Sequence, residues 1–152
     1  MKILITGSKG QLGSEFKALQ NSTKHQFIFT DSKTLDITKV QDVQNYFDQQ
    51  YVDMVINCAA YTAVDQAEDD QDIAFAVNKE AVENLVKVCE KHHIKLIHFS
   101  TDYVFDGKHF KPYNEEDAVN PVGVYGKSKL AGEQVILNSN ISALIIRTSW
   151  LY

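Results

Sequence analysis

The sequence predicts an α/β domain built on a doubly wound parallel sheet with helices on both faces. Two observations predict it: short apolar runs alternate with longer stretches of helical periodicity, and a glycine-rich turn follows the first apolar run. Strands buried on both faces are typically continuous apolar runs, and helices form the crossovers between parallel strands. The 152 residues suffice for one such domain.

The apolar runs are the predicted strands. Each contains three or four apolar residues, most of them branched or aromatic, which favours a strand and is too short for a helix. They occupy residues 3–5, 27–29, 54–56, 96–99 and 144–146.

Helical stretches connect these strands, because their apolar residues recur three or four positions apart. They cover about residues 12–20, 40–50, a long run after the third strand that ends near His92, and 125–137. A long irregular segment, 102–121, begins where the fourth strand ends. Loops of this length are usually functional, and ligands of such folds bind beyond the carboxyl ends of the strands.

The turn after the first strand has the pattern G-x-x-G-x-x-G at Gly7, Gly10 and Gly13, with Gln11 and Leu12 between the last two glycines. Glycines let the backbone approach a pyrophosphate, and the helix that follows offers free N–H groups. We therefore expect a dinucleotide there. The spacing differs from G-x-G-x-x-G, and the alternative is a plain strand-to-helix turn.

An acid is expected after the second strand, and Asp31 follows Gly13 by 18 positions. A carboxylate there would bind the adenosine ribose hydroxyls and disfavour a 2′-phosphate. However, Thr30, Ser32 and Lys33 are suited to a phosphate, so the sequence leaves NADH and NADPH both open.

Small residues, Cys58, Ala59 and Ala60, follow the third strand. They would let a cofactor pass close to the sheet edge, and a tight helix–sheet contact explains them equally well. Cys58 and Cys89 have neither metal-site spacing nor a disulfide framework, so both are interpreted as core residues.

The candidate catalytic set is Thr101 at the end of the fourth strand with Tyr125 and Lys129 on the last helix. Residues four apart share a helix face. A nearby ammonium is expected to lower the pKa of the tyrosine from about 10, making it a usable general acid. Thr101 would hydrogen-bond the oxygen on which negative charge develops. If the Tyr–Lys pair stood alone, the alternative to a catalytic role would be a packed tyrosine beside a lysine.

Composition excludes some classes of partner. The net charge of −5 and pI of about 5.5 argue against a nucleic-acid or anionic-membrane surface, and no apolar run reaches membrane-spanning length, so a cytoplasmic location is expected. The acidic cluster at residues 65–72 is interpreted as a solvated helix face rather than a metal site.

The whole chain resembles the N-terminal part of the extended short-chain dehydrogenase/reductase family, with its Rossmann-like fold, and within it the dTDP-4-dehydrorhamnose reductases. The similarity rests on the glycine turn and on residues 35–38, 59–68, 76–78, 100–107, 125–133 and 147–152. Residues 60–68 and 101–107 are the most specific to this group, whereas the glycine turn and Tyr-x-x-x-Lys occur throughout the family.

The resemblance implies a role for each matching position. The catalytic set would be the one already named, with Lys129 also holding the nicotinamide ribose. The cofactor would further contact Gly7, Gly10, Gln11, Leu12, Gly13, Asp31, Asp36, Ile37, Cys58, Ala59, Ala60, Tyr61, Asn78, Ser100 and Tyr125. The sugar nucleotide would contact Val64, Thr101, Asp102, Tyr103 and Trp150.

The implied activity is NAD(P)H-dependent reduction of the 4-keto group of dTDP-4-dehydro-L-rhamnose. Related dehydratases have Asp-Glu where this chain has Asp102-Tyr103, so the missing acid favours simple reduction. A regulatory subunit like that of methionine adenosyltransferase and a sugar-nucleotide epimerase are the alternatives. Family members are about twice this length, so we expect a cofactor-binding domain without its C-terminal substrate domain. A homodimer is implied for the full-length protein. Glu15 matches a position linked to Mg²⁺-assisted dimerisation in some members, but little else here supports a metal.

Overall fold

Five parallel strands form a single sheet in the computed structural model, which describes residues 1–149. All five lie where the apolar runs predict them. The strands are β1 (Lys2–Thr6), β2 (Gln26–Phe29), β3 (Met54–Asn57), β4 (Lys95–Thr101) and β5 (Ala143–Thr148).

The strand order is β2-β1-β3-β4-β5. The chain leaves β1 toward β2 on one side and returns to β3 on the other, so the order reverses at β1. In register, Thr6 pairs with Asn57 and Asn57 pairs with His98. The carboxyl ends of β1 and β3 therefore lie level with each other, and β4 continues past them to Thr101, at the switch point where open α/β sheets bind their ligands.

The helices confirm the predicted pattern with one exception. The stretch after β3 was expected to be one long helix, but it is divided into two α-helices by a π-helical turn at Ala76–Glu80. The α-helices are α1 (Gln11–Leu19), α2 (Val40–Gln49), α3 (Gln71–Phe75), α4 (Ala81–His92) and α5 (Val124–Leu137). The π-turn adds a residue to the helix and places Asn78 in the interior.

Helices cover both faces of the sheet, as predicted. On one face, α2, α4 and α5 bury the main core, in which Leu4, Val55 and Leu96 of the strands meet Phe47 and Leu85 of the helices. On the other face, α1 packs Phe16 against a smaller cluster that includes Ile3, Ile5 and Ile56. This division fits the alternating sides to which β-strand residues point.

Cys58 and Cys89 are free thiols, half-buried and buried respectively, and burial raises the pKa of each to about 12. Among residues 1–149, none of the helices has the length and apolarity that a membrane span requires.

Candidate active site

The glycine turn is shaped by two close backbone approaches. Gly7 has a φ of +63°, and a Cβ there would lie 2.6 Å from the Ala59 nitrogen. A Cβ at Gly13 would collide with the Gly7 carbonyl oxygen. The Gly10 N–H closes the turn by donating to the Gly7 carbonyl at 2.9 Å. The turn thus brings the start of α1 against the end of β3, which only glycine permits.

Two adjoining cavities run from this turn along the carboxyl edge of the sheet. They measure about 410 and 500 Å³ and share Gly10, Cys58, Ala59 and Ala60 as lining residues. The first extends toward Asp31, Asp36 and Ile37, and the second extends past Gln11 and Leu12 toward Thr101, Tyr125 and Lys129. A long, bent ligand would therefore place one end at β2 and the other at the candidate catalytic set.

Asp31 lies in the first cavity, as predicted, but its carboxylate is already engaged. Oδ1 accepts hydrogen bonds from the backbone N–H groups of Lys33 and Thr34 and from the Thr34 hydroxyl. Lys9 forms an ion pair with Oδ2. Lys9 and then Thr34 hold the pKa of Asp31 well below its usual range. The carboxylate therefore has less capacity for ribose hydroxyls than the sequence suggested.

The neighbouring loop, which borders the same cavity, is fixed from behind by Asn84. Its side-chain amide donates to the carbonyls of Ile37 and Thr38 at 3.0 and 3.3 Å. The Thr38 hydroxyl in turn donates to Asp36 at 2.6 Å, which lowers the pKa of that carboxyl. Sequence reasoning missed Asn84, because nothing in a buried helical asparagine shows which loop it will meet.

Two predicted cofactor residues have other contacts. Tyr61 and Asn78 are not among the described residues that line either cavity. The Tyr61 hydroxyl donates to Asp70 at 3.0 Å. Asn78, which is 1% exposed, accepts from the Tyr61 N–H at 2.9 Å and donates to the Tyr61 carbonyl and to Ser128 Oγ. Asn78 therefore joins the loop after β3 to α5, a contact that only the π-turn makes available.

The candidate catalytic residues converge in the second cavity. Thr101, Tyr125 and Lys129 line it together with Ser100 and Tyr103. Thr101 ends β4, and its hydroxyl acts to lower the pKa of the neighbouring Tyr125 phenol. The rings of Tyr103 and Tyr125 meet edge to face at 5.5 Å. Val64 lines the same cavity, while Asp102 accepts a hydrogen bond from Thr101 at 3.2 Å and Trp150 lies outside the described residues.

The electrostatics of this set differ from the expectation. The pKa of Tyr125 is raised, first by burial and further by the charge of Asp102, while the Thr101 hydrogen bond opposes the rise. Lys129 does not produce the predicted lowering of this pKa. The residue is only 2% exposed, and its ammonium donates to the Phe99 carbonyl at 2.7 Å. Burial lowers the pKa of Lys129 itself to about 8, against the opposing charge of Glu133.

Glu133 is fully buried one turn beyond Lys129, and Arg147 neutralises it. Arg147 donates from Nε at 3.0 Å and from a terminal nitrogen at 2.6 Å, a bidentate pair. The Arg147 guanidinium also lies 5.0 Å from the Phe105 ring centroid, which ties the start of the long loop to β5. Within residues 1–149, no group of three or more His, Cys, Asp or Glu side chains is arranged to hold a metal ion.

The whole chain, residues 1–152, matches the family model described as the RmlD substrate binding domain. The chain belongs to this family. Among its RmlD-family relatives is a dTDP-4-dehydrorhamnose reductase of Aggregatibacter actinomycetemcomitans, 40% identical over 152 residues, which are 99% of this chain and 52% of the relative. The chain spans about half the length of the curated relatives it matches.

Solved structures of RmlD-type reductases agree with the fold. A dTDP-4-dehydrorhamnose reductase of Clostridium acetobutylicum superposes with a TM-score of 0.97 at 43% identity, over 100% of this chain and 54% of that one. One from Bacillus anthracis, in complex with NADP, gives 0.95 at 38% identity, over 99% of this chain and 54% of that one. The resemblance inferred from the sequence motifs is therefore confirmed.

Proposed function

We propose that this chain supplies the cofactor site and the catalytic residues for NAD(P)H-dependent reduction of a dTDP-4-keto-6-deoxysugar, dTDP-4-dehydro-L-rhamnose, to dTDP-L-rhamnose. The observation that carries the proposal is the convergence of Thr101, Tyr125 and Lys129 in a cavity continuous with the glycine turn. The names of the relatives as dTDP-4-dehydrorhamnose reductases support the substrate.

The residues present fit a nicotinamide dinucleotide. The glycines at positions 7 and 13 permit the close backbone approaches that shape the turn, and the N-terminus of α1 opens onto the cavity through Gln11 and Leu12. This is the arrangement that binds a pyrophosphate in dinucleotide folds. When bound, the reduced nicotinamide supplies the hydride that the substrate C4 receives.

Tyr125 is the proton donor in this proposal. Because burial raises its pKa, the phenol is protonated at neutral pH and holds the proton that the substrate O4 takes up as charge develops there. The Thr101 hydroxyl, adjacent to the phenol, hydrogen-bonds the same oxygen. Lys129 lines the same cavity on the same helix face as Tyr125, where its ammonium would hold the nicotinamide ribose.

Tyr103 favours reduction over dehydration. It lines the cavity at the position where related dehydratases have an acid, and a phenol cannot replace a carboxylic acid in eliminating water. An epimerase or a non-catalytic regulatory subunit remains the alternative that an assay must separate from a reductase.

The lysines beside Asp31 support acceptance of a 2′-phosphate. Lys9 pairs with the carboxylate and offsets its charge, and Lys9, Ser32 and Lys33 line the same cavity. The relative from Bacillus anthracis is described with NADP. We therefore infer that NADPH is accepted as well as NADH.

The cofactor inference is tested by titrating 2′,5′-ADP and 5′-AMP into the protein by calorimetry. Lys9→Met should weaken 2′,5′-ADP about tenfold or more, because one charge-assisted hydrogen bond is lost, and leave 5′-AMP nearly unchanged. Lys39→Met is the matched control, since Lys39 also pairs with a cavity aspartate, at 3.5 Å from Asp36. Equal losses for both nucleotides would contradict the inference.

Turnover tests the reaction itself, in the protein with any sequence that follows residue 152 in place. Tyr125→Phe should lower kcat for NADPH oxidation with the dTDP-4-keto sugar by a factor of about 10²–10⁴ and preserve cofactor affinity. Tyr46→Phe, which alters a partly buried tyrosine of the core, should leave kcat unchanged. Cofactor binding without reduction by the wild type would favour a regulatory subunit. Sugar interconversion without NADPH consumption would favour an epimerase. Dimerisation, with or without Mg²⁺ at Glu15, stays a prediction.

A further inference from the structure

Helix α5, which carries Tyr125 and Lys129, has no N-terminal cap from its own segment. Its N-cap position is Gly123, with extended backbone and no side chain. The four N–H groups at a helix start need partners, and Ser, Thr, Asp or Asn usually supply one. Here the partner comes from 56 residues earlier in the chain, because Glu68 Oε1 accepts the Val124 N–H at 2.7 Å.

The glycine at position 123 favours this contact. A Cβ there would lie 2.9 Å from Glu68 Oε1, so the carboxylate would have to shift to make room for any other residue. An ionised acceptor also suits this end of the helix, since the positive end of the helix dipole lies there. Gly123 thus leaves room for the Glu68 carboxylate, and Glu68 supplies the cap that a glycine cannot provide.

Glu68 ends a short 3₁₀ turn that supports the start of α5. The side chain before it, Ala67, is fully buried against Val124 and Ala74, and the ring of Tyr125 packs against this cluster. Upstream in the same segment, Thr62 and Val64 line the catalytic cavity. The cap therefore connects the cavity wall directly to the helical turn that holds the phenol.

We propose that Glu68 is a positioning residue for Tyr125, which rests on the proposed reductase function. Tyr125 is adjacent to the capped amide, so loss of the cap frees the first turn of α5 and moves the phenol relative to Thr101. A displacement of about 1 Å at a proton donor is enough to cost up to a hundredfold in rate. The part of the predicted cofactor site that lies on α1 and after β3 is not altered by this change.

The other acids of the cluster have different positions. Asp70 accepts a hydrogen bond from the Tyr61 hydroxyl. Within residues 1–149, the Asp69 side chain has no hydrogen bond to α5, and it is exposed like that of Glu68. Asp69→Ala is therefore the matched control for removal of one carboxylate from this surface.

The test compares Glu68→Ala, Glu68→Gln and Asp69→Ala in the complete protein. Glu68→Ala should lower kcat about five- to thirtyfold with cofactor Kd unchanged, a range that corresponds to the loss of a strong helix cap. Glu68→Gln keeps an acceptor oxygen and should recover most of the turnover, and Asp69→Ala should match the wild type. In NMR spectra, the Val124 amide resonance should move in Glu68→Ala relative to the wild type, because the amide loses its acceptor, and it should stay in place in Asp69→Ala.

Each outcome decides the proposal. Unchanged kcat in Glu68→Ala would overturn it, and so would an equal loss of cofactor affinity, which would indicate general disruption of the cleft. A Val124 amide resonance that is the same in Glu68→Ala as in the wild type would overturn the cap itself. If the wild type showed no turnover, the reductase function would fail, while the Val124 amide resonance would still report on the cap independently.

Discussion

Replacing Lys129 by methionine should stabilise the fold at neutral pH while abolishing turnover. The ammonium is 2% exposed, and burial lowers its pKa from 10.5 to about 8. At about 1.4 kcal/mol per pKa unit, keeping the proton on the buried amine at pH 7 costs about 3 kcal/mol of folding free energy. Methionine retains the apolar stem but leaves the Phe99 carbonyl without this donor, which costs about 1–3 kcal/mol. The net gain is therefore up to about 2 kcal/mol, or up to about 8 °C in Tm.

The pH dependence gives the sharper test. Between pH of about 8 and 10.5, the folded protein has released the Lys129 proton and the unfolded chain has not, so wild-type stability rises with pH in that window. The advantage of Lys129→Met should therefore be full below pH 8 and should disappear as the pH approaches 10.5. Urea unfolding at a series of pH values measures this.

The control is Lys127→Met, because Lys127 is exposed on the same helix and its replacement should change stability by less than about 0.5 kcal/mol at every pH. A Lys129→Met protein less stable than the wild type at pH 7, or a stability difference that does not vary with pH, would refute the reasoning.

Other predictions concern the supports of the cleft. Asn78→Ala removes the contact between the loop after β3 and α5, so it should lower kcat more than it weakens cofactor binding. Asn84→Ala should weaken cofactor binding and leave kcat unchanged. Steady-state kinetics combined with direct cofactor titration distinguishes the two effects. Gly7→Ala should weaken dinucleotide binding by about a hundredfold or abolish folding, because its Cβ would meet the Ala59 backbone at positive φ; calorimetry and circular dichroism distinguish these results. Cys58 and Cys89 should resist a thiol reagent at pH 8 until urea unfolds the chain, since burial raises both pKa values to about 12; rapid labelling of either in the native protein would contradict this.

The sheet and the glycine turn could be predicted from the sequence because their causes are local. A run such as 3–5 is apolar on both faces because it is buried on both faces, and Gly7 is required by a turn within its own segment. The long helix predicted after β3 was wrong in its continuity, since the π-turn at Ala76–Glu80 serves contacts of Asn78 with Tyr61 and Ser128. Those contacts join segments 17 and 50 residues apart, and no local pattern records them.

The residues of the candidate catalytic set could be located from the sequence, but their pKa values could not be predicted from it. Spacing placed Tyr125 and Lys129 on one helix face, and the cavity contains both. The predicted lowering of the Tyr125 pKa failed because burial, which a sequence does not show, dominates it, and because the Lys129 amine finds a backbone carbonyl instead. For a residue that must arrive protonated, the higher pKa is the more useful state.

A row of buried polar side chains connects the strand that leads into the glycine turn with the strand that ends at Thr101. The Thr6 hydroxyl donates to Asn57 Oδ1 at 2.6 Å, which also accepts the Ala59 N–H at 3.2 Å. Because that oxygen is occupied, the Asn57 amide nitrogen faces His98 and donates to Nδ1 at 3.0 Å. Nδ1 can accept this hydrogen bond only while the imidazole ring is neutral. Burial, together with the nearby charge of Lys129, holds the pKa of His98 well below its usual value. Side chains of three neighbouring strands are thus joined in one hydrogen-bonded row, which restrains the glycine turn, the loop at Ala59 and the strand that ends at Thr101 relative to one another.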